Sequence, residues 1–251
     1  MLTNLDSIDF AYSEEDRKLF ESEQYEHWDN IQKHYIKIRK RFKLEVHLPQ
    51  TGTHKEWIRS RVDMHVAQSL MRLLYLVEEF CSASLAFNSV AAASLIKSMA
   101  EIPLHLGYIV WVLREHNDFE KIRIELGKIA FGNIDPKSGL TTSGKISNKD
   151  LYIKSDIVIN KMFEDNSSER GIFESIYKDS NATGHHNYEG RMLTGIQNKD
   201  IWKAGDRKSL FLFFSNKVFQ IFLHCDVILG MTTVLLKAID HYLDQLPINF
   251  E

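Results

Sequence analysis

The chain has 251 residues, 44% hydrophobic and 26% charged, which supplies a sizeable core and argues against a disordered polymer. A formal charge of −3 gives no global pull toward nucleic acid, and four prolines with twelve glycines are fewer breaks than a turn-rich β protein needs. Cys81 and Cys225 both fall in apolar stretches, as small buried hydrophobes of a reducing compartment would.

Met1 to Asp16 carries no basic-then-apolar leader pattern, and the expectation is a cytoplasmic protein. Ser13, followed by Glu14, Glu15 and Asp16, caps a first long helix. Trp28, Ile31, Tyr35, Ile38 and Phe42 then alternate at spacings of three and four, one apolar stripe. Residues 13–46 are therefore read as an N-terminal helix that serves as an arm or dimerisation helix, its stripe turned to a second copy in a homo-oligomer. Lys33, Lys37, Arg39, Lys40, Arg41 and Lys43 form a basic run along it. That run is either a solvated face or a surface for RNA or an acidic partner.

Leu48 to Gly52 stops this helix, and Thr53 with Glu56 boxes the start of a second one reaching about Phe87. A third, Ser89 to Glu115, is apolar almost all round and belongs in the middle of a bundle. Pro103 inside it predicts a kink, because the ring clashes with the carbonyl at Met99. Asn117 and Glu120 restart a helix through Phe131. Ser147 to Glu164 is helical with a strand alternative, because Ile153, Ile157, Val158 and Ile159 also suit a sheet. A helix over Ser168 to Ala182, an irregular stretch from Gly184 to Gly205 and a last long helix from Arg207 to Leu246 complete the chain. Leu210 to Leu236 is long enough to span a bilayer. Asn216, Lys217, Gln220, His224 and Asp226 interrupt it, which makes it a core helix and gives no membrane partner.

The expected fold is all-α: one domain over residues 1–251, an antiparallel bundle of about seven helices with long central and C-terminal members. On the central helix, Lys97, Glu101 and His105 recur every fourth residue and share a face, with Ser94, Ser98 and Tyr108 nearby. Charges on an otherwise greasy rod cost several kcal/mol (order of magnitude) unless each is partnered. The line is either a structural network in which Lys97 pairs with Glu101, a solvent-facing strip, or one wall of a binding pocket. The other wall would be Tyr177, Ser180 and the glycine-hinged loop carrying His185, His186 and Arg191, unless that loop is plain polar surface.

The segment Ala93-Ser94-Leu95-Ile96-Lys97-Ser98-Met99-Ala100-Glu101 resembles the helix signature of a broad group of uncharacterised bacterial helical proteins. That group has a basic residue, a Glu four positions on, and later a Tyr, Ser and His cluster. Tyr177, Ser180 and His185 or His186 are the counterparts here, and Lys97 stands where the group more often has Arg. The resemblance covers Ser89 to the C terminus, and implies a helical domain and a site location without a chemistry.

Other constellations give the alternatives. Glu101, His105 and one of His185 or His186 could ligate a metal, although Pro103 lies between the first two. HEPN-type ribonucleases separate Arg and His by four to six residues, as Arg59 to His65 and Arg41 to His47 do. Composition alone supplies about one or two such pairs. Gly139 to Lys145 matches phosphate-loop spacing, but Ile146 stands where a hydroxyl is needed. The expectation is a non-enzymatic binding or regulatory module with a polar pocket, in a bacterial stress or defence system. The alternative is a hydrolytic enzyme, ribonuclease or metal-dependent. No cofactor is assigned.

Overall fold

A computed structural model describes residues 10–48, 52–131, 133–134, 141–142, 146, 148–162, 171, 175–176, 178, 195–198, 201–213 and 215–248. Among them the helices are α1 (Glu14–Arg17), α2 (Ser22–Arg41), α3 (His54–Leu85), α4 (Ser89–Glu115), α5 (Phe119–Phe131), α6 (Asn148–Met162), α7 (Arg207–Phe213) and α8 (Ser215–Gln245). The fold is all-α, as the helical periodicity requires.

Local chemistry sets the boundaries. Ser13 Oγ accepts from the Asp16 amide at 3.1 Å, but the helix it opens lasts only four residues. Glu21 then makes a second capping box with Gln24, so the expected first helix is two helices. At α3, Thr53 Oγ1 accepts from the Glu56 amide at 3.2 Å, and Glu56 accepts from the Thr53 amide at 2.8 Å. Thr53→Ala removes half of this box and should cost about 1 kcal/mol, read as a lower urea midpoint at unchanged slope. A tight turn through Ala86, Phe87 and Asn88 joins α3 to α4. Phe87 takes a left-handed φ of 53° there, anchored by ring contacts with Tyr12 at 6.0 Å and Phe211 at 5.2 Å.

Within the stretch Ser147 to Glu164, the described residues Asn148–Met162 form a helix, α6. The stretch expected to be irregular contains an antiparallel hairpin, β3 (Gly195–Asn198) with β4 (Ile201–Ala204), pairing Asn198 with Ile201. A smaller ladder pairs β1 (Asn133–Ile134) with β2 (Thr141–Thr142). α4 continues through Pro103, which is buried inside the helix.

Pairs along the helices fix their directions. Tyr35 to Glu78 and Lys43 to Asp63 make α2 and α3 antiparallel. Arg59 to Asp244 and Phe80 to Phe222 do the same for α3 and α8. The α2–α8 pairs advance together instead: His27 to Asp226, His34 to Thr233, Arg41 to Asp240. These two helices are parallel and in heptad register, like strands of a coiled coil. Ser155 to the Leu104 carbonyl and Lys161 to Glu115 likewise make α6 parallel to α4. The expected bundle of helices is present, and its parallel neighbours include α2 with α8 and α4 with α6.

The core runs along α4 and α8, which pack on each other and on α3, α2 and α6. Ser215–Gln245 is long and apolar enough to cross a membrane by length and composition, and here its apolar face packs on α4 and α2. The α2 stripe is spent inside its own chain: Trp28, Ile31, Tyr35 and Ile38 are buried in the shared core, and Trp28 and Phe222 of α8 have ring centroids 5.3 Å apart. Those four side chains of the stripe are covered by helices of the same chain.

Candidate functional site

Glu101 and His105 do share a face, and Pro103 does not divert them: both look onto α3. Glu101 Oε2 accepts from Arg72 Nη2 at 2.9 Å, with the arginine side chain 52% exposed and the carboxylate 30%. One turn further, His105 lies close enough to His65 of α3 for a charge on either ring to oppose a charge on the other. Burial lowers the His105 pKa and Arg72 adds to that, with Glu101 opposing. His65 is 5% exposed. Burial, with Arg61 and His105 beside it, pushes its pKa down to about 4, against a hydrogen bond to the Leu126 carbonyl. Both rings are therefore neutral near pH 7, each with one nitrogen that donates and one that accepts.

The seam continues to Tyr108, whose hydroxyl donates to Glu125 of α5. Burial and that bond raise the phenol well above its ordinary pKa. Burial also works against the Glu125 carboxylate, but hydrogen bonds from Lys128 at 2.6 Å and from Tyr108 hold its pKa below the usual value. Lys154 of α6 lies 3.9 Å from the Trp111 ring centre and closes the far end. A polar line on one apolar helix thus runs from the half-open Arg72–Glu101 pair to the buried Tyr108. Lys97 is half-buried one turn before Glu101. Ser94 is exposed and bonds back to the Val90 carbonyl at 2.8 Å.

Of the residues singled out in the sequence, Lys97, Glu101 and His105 share this face, while Tyr177, Ser180, His185, His186 and Arg191 lie outside the described residues. The network expected to pair Glu101 with Lys97 has Glu101 on Arg72. Among the described residues no three His, Cys, Asp or Glu side chains are arranged to hold a metal. Arg59 and His65, six residues apart, project about 120° apart on a helix. Arg59 binds Asp244 at 2.6 Å while His65 is buried toward α4 and α5. Arg41 binds Asp240 at 2.5 Å, and exposed His47 follows the end of α2.

A second constellation carried no signal in the sequence. Asp226 of α8 accepts at Oδ2 from His27 Nδ1 at 2.8 Å and from Asn30 Nδ2 at 3.3 Å, while its Oδ1 lies 3.6 Å from His34 Nε2. His34 Nδ1 faces Thr233 Oγ1 at 3.5 Å. His27 and Asp226, His34 and Thr233, and Arg41 and Asp240 are each 199 residues apart, so only the heptad repeat of 27, 34 and 41 against 226, 233 and 240 could have hinted at them.

Fold and seam together define an all-helical bundle with a polar face cut into its central helix. Comparison of the chain with protein-family models, with curated proteins and with solved structures finds no match to any of them.

Proposed function

We propose that the chain is a binding module whose small polar ligand lies along the α3–α4 seam, with an acidic group on Arg72 and a donor group on Glu101. The reading rests on one observation: an apolar central helix aims Glu101 at a half-exposed arginine, directly above two neutral histidines. Stability alone does not account for those side chains. A half-exposed ion pair contributes about 0–1 kcal/mol. Well-packed hydrophobic residues in place of the buried polar groups would stabilise a bundle more. Glu101 presents a carboxylate and His105 a neutral donor and acceptor, so the seam suits a molecule carrying both an anion and a hydroxyl or amine.

The test is a melting-temperature screen with amino acids, hydroxy acids and sugar phosphates. A binder should raise the midpoint, and Glu101→Ala should abolish that rise. The same substitution should move the ligand-free midpoint by no more than about 2–4 °C, the equivalent of about 1 kcal/mol in a chain of this size. A rise that survives Glu101→Ala puts the ligand elsewhere and sinks this reading, as does the absence of any rise across the screen.

A further inference from the structure

The parallel pairing of α2 and α8 leaves a groove of about 330 Å³ between them, lined by Lys37, Ile38, Arg41, Thr233, Lys237 and Asp240, with Leu236 at its floor. Its charge is unlike that of the chain as a whole. The lining holds three cations against one carboxylate, in a protein of formal charge −3. Asp240 is committed to Arg41 at 2.5 Å, which fixes the guanidinium at the groove wall while Lys37 and Lys237 stand exposed on opposite helices. A volume of this size is at the low end of small-molecule sites. Positions 37 and 41 are four residues apart on α2, a rise of roughly 6 Å, the reach of one multiply charged group rather than a tracked polymer backbone.

We propose that the α2–α8 groove is an anion site for a small phosphate-bearing molecule of about mononucleotide size, its phosphate held between Lys37 and Lys237 beside the Asp240-fixed Arg41. Lys37 and Lys237 line the groove from opposite helices, and the buried side chains of Ile38 and Leu236 floor the space where the rest of the ligand sits. The inner end meets Thr233, whose hydroxyl faces His34. His34 is surrounded by Lys33 and Lys37 on its own helix and by Asp226 on α8. This site is independent of the α3–α4 seam. Lys33, Arg39, Lys40 and Lys43, the other cations of the basic run, do not line it.

The test is calorimetric titration of the intact chain with inorganic phosphate, with adenosine monophosphate and with a single-stranded RNA oligomer, at physiological ionic strength. Saturable one-to-one binding is expected, tighter for the mononucleotide than for phosphate. Lys37→Ala with Lys237→Ala should weaken it about tenfold or more, with the melting temperature unchanged because both side chains are exposed. Arg39→Ala with Lys40→Ala should leave it intact. Carbon-labelled histidine should show the His34 titration moving to higher pH on binding, because the bound anion offsets the lysine charges that oppose its protonation. The proposal is overturned if the groove pair can be changed without loss. Binding by the RNA alone, weakened equally at Arg39 and Lys40, also overturns it. So does the lack of saturable binding with any of the three probes.

Discussion

Trp28→Ala should remove about 3–5 kcal/mol of unfolding free energy, the largest single-site loss expected in the molecule. Trp28 is wholly buried on α2, its indole nitrogen donates to the Phe10 carbonyl at 2.9 Å, and its ring meets Tyr12 at 4.9 Å and Phe222 at 5.3 Å. One side chain thus ties the chain before α1, the α2 stripe and the parallel helix α8 together. Truncation leaves a cavity, a lost hydrogen bond and a carbonyl without its donor. Equilibrium unfolding in urea measures the loss. A change in oligomeric state with the unfolding midpoint intact would mean that the stripe serves a second copy after all, contrary to the in-chain packing.

Acid should destabilise the protein well above the range in which carboxylates titrate. His65 has an ordinary pKa of 6.5 when unfolded and about 4 when folded, so the unfolded chain binds the extra proton throughout that interval. Its contribution to stability is intact above about pH 6.5 and falls progressively as pH drops toward about 4, by up to about 1.4 kcal/mol for each pH unit. The lowered pKa of His105 and His34 acts with the same sign. The depressed carboxylates, Glu125 among them, lose their contribution only at lower pH. Unfolding free energies from urea titrations at about pH 7 and about pH 4.5 should therefore differ by a few kcal/mol in the natural chain and by clearly less in His65→Gln. Equal slopes in the two proteins would show that His65 is not held neutral by the fold.

Much of this architecture could be read in the residues, for identifiable reasons. The Thr53–Glu56 box starts α3 where its hydrogen bonds demand, and the apolar girth of Ser89–Glu115 put α4 in the middle. What periodicity cannot carry is the identity of the partner. The Trp28–Phe42 stripe announced a covered face, and a second subunit and α8 of the same chain would cover it with the same pattern. Helix direction was equally hidden, because the parallel return of α8 depends on a connection, not on any residue within it. The Glu21–Gln24 box that splits the first helix was on view in the sequence, but a continuous apolar stripe masked it. The hairpin at Gly195–Ala204 is short, and its alternation is weak.

The seam divides along the same line. Glu101 and His105 stood out because charge on a greasy helix asks for a reason. Arg72 did not, because a half-exposed arginine on an amphipathic helix is ordinary until a carboxylate from another helix meets it. His65 had drawn notice for its spacing from Arg59, whereas its neighbours in space are His105 and Leu126. Such partners are set by antiparallel packing of α3 on α4, which no local spacing encodes.

The polar line on α4 is held to be a place where something binds, and the ring of His105 sits at its centre. Histidine-selective NMR titration, with and without a saturating hit from the metabolite screen, reports on that ring alone. Occupancy should shift the His105 titration. A hit that raises the melting temperature while the His105 curve stays in place would show that the seam is scaffold.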